Sequence, residues 1–259
     1  NVMAQSLVGS KTHLIGVVVT DIGNAFFADL VKHIEQAAGQ AGYSMILFNS
    51  GYDRDHEKEC LDVVRRYRVD GLIVVPVEAE SAQWKEQVAK LEIPAVVITR
   101  KASGMDSFYV DHAEAGAQAA RHLCEQEYEE FLFLGNTADE KYIGFEQILK
   151  ELRKGVSTHL TVITAKDTEQ VRDALERHFS KHQGPTGIFA YNDRRAVQVL
   201  GLLEQMRIRI PEEAGVVGFD NTYMCEYLYP KLSSIAQPNQ KMAELAVTRL
   251  LERLENPEE

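Results

Sequence analysis

The sequence predicts an α/β protein of two lobes, each a parallel sheet flanked by helices. Three observations predict this class. From Leu14 onward, apolar runs of four to seven residues alternate with amphipathic segments of ten to seventeen. The runs are apolar throughout, as strands covered on both faces must be, rather than alternating polar and apolar. The rhythm then breaks at RKASGMDSFYVDH (100–112), where Gly and Ser replace a helix and the chain is expected to leave one sheet for another.

Taken in order, residues 1–12 are polar and carry no strand pattern; Met3, Ala4 and Leu7 line one face of a segment too short to hold as a helix alone. Expected strands are Leu14–Thr20, Ser44–Asn49, Gly71–Val77, Ala95–Thr99, Phe108–Val110, Phe131–Leu134, Leu160–Thr164, Gly187–Tyr191 and Gly215–Phe219. Helical patterns lie between most of them. In the first, Leu30, Ile34, Ala37, Ala38 and Ala41 share a face, with Lys32, Glu35 and Gln36 largely opposite. Ala113–Glu127 reads as the helix that opens the second lobe. LSSIAQP (232–238) is extended and ends before a proline, and a last helix spans roughly Asn239–Leu254. Two such lobes, joined by several crossovers, are expected to flank a cleft suited to hinge closure.

The totals exclude several classes. A hydrophobic fraction of 45% supplies a full core, and a formal charge of −11 argues against broad electrostatic binding of nucleic acid by this stretch. Cys60, Cys124 and Cys225 are scattered and fit no CxxC or zinc spacing, which suits reduced thiols in a cytoplasmic protein. No apolar run approaches the roughly 20 residues of a membrane span, and NVMAQSLVGSKTH lacks a signal core. Enzyme signatures (GxGxxG, GxxxxGK[ST], GxSxG, HExxH) are missing, so no catalytic residue, cofactor or metal is assigned. His178 and His182 stand four apart but read as an exposed helix end. Asp53-Arg54-Asp55 reads as a turn and helix cap.

Polar residues at strand ends are the better signal, because ligands of open α/β sheets sit at the carboxyl ends of strands. Asp21, Arg100, Asp111, Asn192-Asp193 and Asp220-Asn221 all fall there. Each has an alternative. Asp193 reads as a helix cap, Asp220 as a ligand group because irregular chain follows it, and Asn192 fits either role. Arg100 fits a lobe–lobe ion pair or the site. Phe26 and Phe27 are adjacent, so one is expected in the helix–sheet core and the other as a stacking platform. Carboxylate, amide and ring together match a sugar: the polar groups pair with hydroxyls, and the ring covers the apolar face.

These stretches resemble the lactose/galactose-repressor (LacI/GalR) family of bacterial transcription regulators. KTHLIGVVVTDIGNAFFADLVKHIEQAAGQAGYSMILFNS is similar to the family's first βαβ unit. RYRVDGLIVVP, IPAVVITR, IFAYNDRRAVQVLGLLEQMRIRIPEEAGVVGFDN and LSSIAQP follow as its later landmarks, in order. The resemblance implies two Rossmann-like lobes of periplasmic-binding-protein type with a three-strand crossover hinge. Residues 1–12 would be a hinge segment, with Leu7 the residue that wedges into the minor groove of operator DNA. Residues 13–109 plus 238–259 would form the N-terminal lobe and 110–237 the C-terminal lobe. A helix-turn-helix headpiece would precede the chain, and a further strand would follow it.

The same resemblance assigns effector contact to Phe26, Phe27, Asn192, Asp220 and Gln237, with Asp21 just before the two rings; Arg100 and Asp111 join them as candidates from their places at strand ends. The family's cleft arginine is replaced by Lys141 in KYIGF, and GNTADEKYIGF is shorter than the usual loop. Arg and Lys differ as donors, so the pocket is expected to differ too. The implied function is the effector-binding and dimerisation core of a repressor. A sugar or sugar derivative would enter the interlobe cleft of a cytoplasmic homodimer and alter operator affinity. The alternative is a periplasmic sugar-binding protein of a transport system.

Overall fold

The structure, a computed structural model, describes residues 11–154, 159–165 and 167–256. The chain divides into two compact units, Asn1–Val110 with Pro238–Glu259, and Asp111–Gln237. Two of the three crossovers implied by the resemblance lie among the described residues, at Val110–Asp111 and Gln237–Pro238.

In the first unit β1 (Leu14–Val19), α1 (Ala25–Gln40), β2 (Ser44–Asn49), α2 (Arg54–Arg66), β3 (Gly71–Val74), α3 (Ala82–Ala89), β4 (Ala95–Ile98) and β5 (Ser107–Phe108) follow in sequence. The sheet order is β2-β1-β3-β4-β5, parallel throughout. Successive side chains of a strand point to opposite faces. Val17, Ile73 and Ile98 therefore join the cluster under α1 and α8 (Asn239–Glu255), whereas Val18, Leu72 and Val97 join Leu61, Val64 and Trp84 of α2 and α3. Both faces are covered, which is why the central strands are apolar at every position. The edge strand β2 is half-exposed, with Leu47 open to solvent. β3 is shorter than expected, because Pro76 has no N–H to continue the ladder.

The second unit runs α4 (His112–Glu125), β6 (Glu130–Leu134), α5 (Glu140–Leu152), β7 (Leu160–Ile163), α6 (Thr168–Lys181), β8 (Thr186–Ala190), α7 (Asp193–Gln205), β9 (Ala214–Asp220), a 3-10 turn (Tyr223–Glu226) and β10 (Ser233–Ala236). Its parallel sheet has the order β10-β9-β8-β6-β7. Leu132, Leu134, Ile188 and Ala190 meet Val171, Leu175, Val199 and Leu202 of α6 and α7. On the other face Phe131, Phe133, Phe145 and Phe189 form an aromatic cluster with centroids 5.3–6.3 Å apart.

Each helix from α1 to α7 begins on a side-chain cap: Asn24, Asp53, Ser81, Asp111, Asp139, Asp167 and Asn192 each accept from a backbone N–H of the first turn. Such caps satisfy N–H groups that have no partner inside the helix. They also occupy two of the strand-end groups singled out above, Asp111 and Asn192.

Candidate functional site

The second unit gathers Lys141, Asp220 and Gln237. Asp220 is the last residue of β9 and holds a backbone φ of +117°, an uncommon conformation for a residue with a side chain. Its carboxyl is buried and accepts from the Gln237 Nε2 amide at 2.7 Å. Burial above all, and then the nearby Asp193 carboxylate, push its pKa up to about 8; the Gln237 hydrogen bond and the Lys141 ammonium pull against that. The Gln237 Oε1 is buried without a hydrogen-bond partner.

Lys141 stands in the first turn of α5 and is only 7% exposed. Its Nζ lies 4.6 Å from the Phe219 ring centroid, 5.7 Å from that of Tyr191 and 3.5 Å from Asp139 Oδ1. Rings on one side and a carboxylate on the other hold a desolvated ammonium. α5 reaches this position because Gly116 of α4 and Gly144 of α5 bring the two backbones into contact: a Cβ at Gly116 would meet the Lys141 carbonyl. His112 packs edge-on against Phe219 at 5.6 Å, with Nδ1 3.8 Å from Glu140.

Asn192 is a cap: its Oδ1 accepts from Arg195 N–H at 3.0 Å. The expected assignment of the cap to Asp193 is overturned. Asp193 is buried in the first turn of α7 and accepts from Thr222 N–H at 2.6 Å, Ser234 Oγ at 2.5 Å and Cys225 Sγ at 3.2 Å. It ties the start of α7 to the 3-10 turn, the residue before it and β10. Burial, and then the Asp193 carboxylate, push the Cys225 thiol up to about 12, leaving it unreactive. Asp111 caps α4 by accepting from Glu114 N–H at 2.9 Å.

In the first unit Asp21 follows β1, half-buried, and accepts from Gly23 N–H at 3.0 Å. The expectation that only one of Phe26 and Phe27 is in the core is corrected. Both rings are buried, edge-to-face at 5.0 Å, in the cluster shared with Met242 and Ala246. Consecutive residues lie about 100° apart on a helix. α1 packs on both the sheet and α8, so its buried arc is wide enough for two neighbours. Arg100 is exposed after β4 and faces Glu57. Glu57 was missed: it sits on the buried face of α2 and accepts from Val77 N–H at 3.0 Å. Desolvation pushes it up to about 7. Its signal in the sequence is its spacing with Cys60, Leu61 and Val64, one helical stripe.

His178 is another correction. It is 3% exposed rather than at an exposed helix end, with Nε2 3.0 Å from Thr186 Oγ1 and its ring stacked on His182. Among the described residues no group of three His, Cys, Asp or Glu side chains can hold a metal ion. Leu7 lies outside the described residues. No helix among the described residues is long and apolar enough to cross a membrane.

Residues 120–259 match the family described as periplasmic binding protein-like domain. Over 251 residues the chain is 30% identical to the HTH-type transcriptional regulator DegA of Bacillus subtilis (strain 168), covering 93% of this chain and 74% of that protein. It is 27% identical to the HTH-type transcriptional repressor PurR of Photobacterium profundum, covering 98% and 78%. A solved LacI family transcriptional regulator from Enterococcus faecalis V583 with bound ribose superposes with a TM-score of 0.80 at 32% identity, over 95% of this chain and 92% of that one. A periplasmic binding protein/LacI transcriptional regulator from Alkaliphilus metalliredigens QYMF, complexed with D-xylulofuranose, gives 0.81 at 26%, over 94% and 91%.

Proposed function

This chain belongs to the periplasmic binding protein-like domain family, as the ligand-binding regulatory core of a LacI-family transcriptional regulator, and from that premise we propose that its second unit holds a small sugar on Asp220, Gln237, Asn192 and Lys141. The observation that carries this reading is the buried Lys141–Asp220–Gln237 group at the carboxyl end of β9. An acceptor carboxyl, an amide with an unused oxygen and a cationic donor beside two rings match the alternating donors and apolar face of a sugar. In the first unit the same reading assigns Asp21 and Arg100 to ligand contact, each by its place just after the end of its own strand, and Asp111 in the second.

A regulator acts through DNA, so the reading includes operator binding, through Leu7 and a headpiece, in the cytoplasm, without catalysis. The transport-protein alternative is not favoured, since DegA and PurR, matched over most of their length, are named transcription regulators. Dimerisation is part of the reading, and a patch of exposed tyrosines around the 3-10 turn, Tyr223, Tyr227 and Tyr229, supports it. Calorimetric titration with D-ribose and D-xylulose is the test. Asp220→Ala should abolish the heat of binding while leaving the melting transition cooperative; unchanged affinity would overturn the site.

A further inference from the structure

Two buried carboxyl groups of the second unit are supplied very differently with donors. Asp193 receives three, from Thr222 N–H, Ser234 Oγ and Cys225 Sγ. Among the described residues Asp220 receives one, from Gln237 Nε2, although it is as deeply buried as Lys141. A buried carboxylate needs several donors to remain ionised, whereas a protonated carboxyl needs fewer. The adjoining Gln237 Oε1 is also a buried acceptor without a donor. Among the described residues the surroundings of Asp220 are therefore poor in hydrogen-bond donors, and an incoming ligand is a group that can bring them.

We propose that ligand binding at this site is coupled to the loss of one proton from Asp220, and that the ligand is an uncharged polyol presenting adjacent hydroxyl donors. The proposal rests on the sugar-site reading above. Before binding, Asp220 is a carboxylic acid. Two ligand hydroxyls donate to its oxygens, the carboxylate form is then the better acceptor, and the proton passes to solvent; no bond of the sugar changes. The surroundings agree. Asp193 on α7 disfavours a second negative charge beside it. Lys141 on α5 offsets that charge, but shares its own with Asp139. His112 on α4 packs on Phe219 and is paired with Glu140. With Asp139 and Asp220 set against one lysine, a phosphorylated or carboxylated ligand would add a negative charge where acceptors already outnumber donors. The raised pKa of about 8 is the expected consequence in the free protein.

The first arm of the test uses no sugar. Carboxyl carbons of the ligand-free chain are followed by NMR with labelled aspartate, the Asp220 signal being the one missing in Asp220→Asn. A midpoint near 8 is expected, and one in the ordinary carboxylate range overturns the proposal. In the second arm, D-ribose and D-xylulose are titrated at about pH 7 in phosphate and in Tris, whose ionisation heats differ. Release of close to one proton is expected, with affinity rising about tenfold from pH 6 to pH 7. Equal heats in the two buffers, with binding intact, overturn the proton coupling alone. Failure of both sugars to bind anywhere between about pH 6 and 9 overturns the sugar-site reading and this proposal with it.

Discussion

Gly144 of α5 lies against the carbonyl of Ala113 in α4, with no room for a methyl group between them. Gly116 meets the Lys141 carbonyl and the Phe145 N–H in the same way. The turn of α5 that carries Lys141 is thus positioned by two glycines at the contact with α4. Gly144→Ala should destabilise the protein by about 1–3 kcal/mol, the usual cost of overpacking, and weaken sugar binding by moving Lys141. Gly201, in α7, has nothing within 4 Å of a would-be Cβ. Gly201→Ala should stabilise by about 0.5–1 kcal/mol, since alanine favours helix. Urea unfolding of both variants measures the contrast.

Asp193 should matter more to stability than to ligand affinity. Asp193→Ala strands the Thr222 N–H and the Cys225 thiol in a buried place and removes the partner of the half-buried Ser234 hydroxyl. Each unsatisfied buried donor costs roughly 1–3 kcal/mol, and with the thiol a weak donor and Ser234 only half-buried a loss of about 2–3 kcal/mol is expected. Chemical denaturation gives the number, and a loss below about 1 kcal/mol would contradict the role assigned to Asp193.

Stability should fall in mild acid through His178. Burial, and then the neighbouring His182, hold its pKa near 4, against an ordinary 6.5. The folded value is depressed, so the native state prefers neutral imidazole while the unfolded chain takes up a proton. Stability is therefore intact above about pH 6.5 and lost as the pH falls toward 4, by on the order of 2–3 kcal/mol. His178→Met, similar in size and without charge, should remove this part of the slope. Melting temperatures from about pH 7 to pH 4 decide it.

Self-association should depend on the tyrosines beside the 3-10 turn. Tyr227 and Tyr229 are almost wholly exposed, and Tyr223 packs edge-on to Tyr227 at 6.3 Å. Replacing Tyr227 and Tyr229 with Ser should lower the dimer fraction in sedimentation velocity without lowering the melting temperature of the monomer. An unchanged dimer would place the interface elsewhere.

Much of the fold was legible because its cause is local. Strands buried on both faces must be apolar at every position, and β1, β8 and β9 stand out for that reason, to within a residue or two. Asp220 was singled out by its place at the end of a strand, and Gln237 only through the family resemblance; the hydrogen bond that joins them appears in the tertiary structure. The role of Asp193 was not legible, because its three partners lie 29, 32 and 41 residues away, and the letter D before a helix looks the same as a cap or as a tie. That Phe26 and Phe27 are both in the core was not legible, because α1 has two packing neighbours and the second, α8, comes from the far end of the chain.

By itself the sequence determined the class, the order of strands and helices, the family and the positions of the strand-end polar groups. These follow from hydrophobic period and local motifs, which act over a few residues. Only the tertiary structure decided which of those groups are caps and which stand in a polar cluster. A carboxyl group's role depends on how many donors reach it and how much water is excluded. For Asp220 both are set by side chains from α5, α7 and the residue after β10, brought together by packing rather than by neighbourhood in the chain.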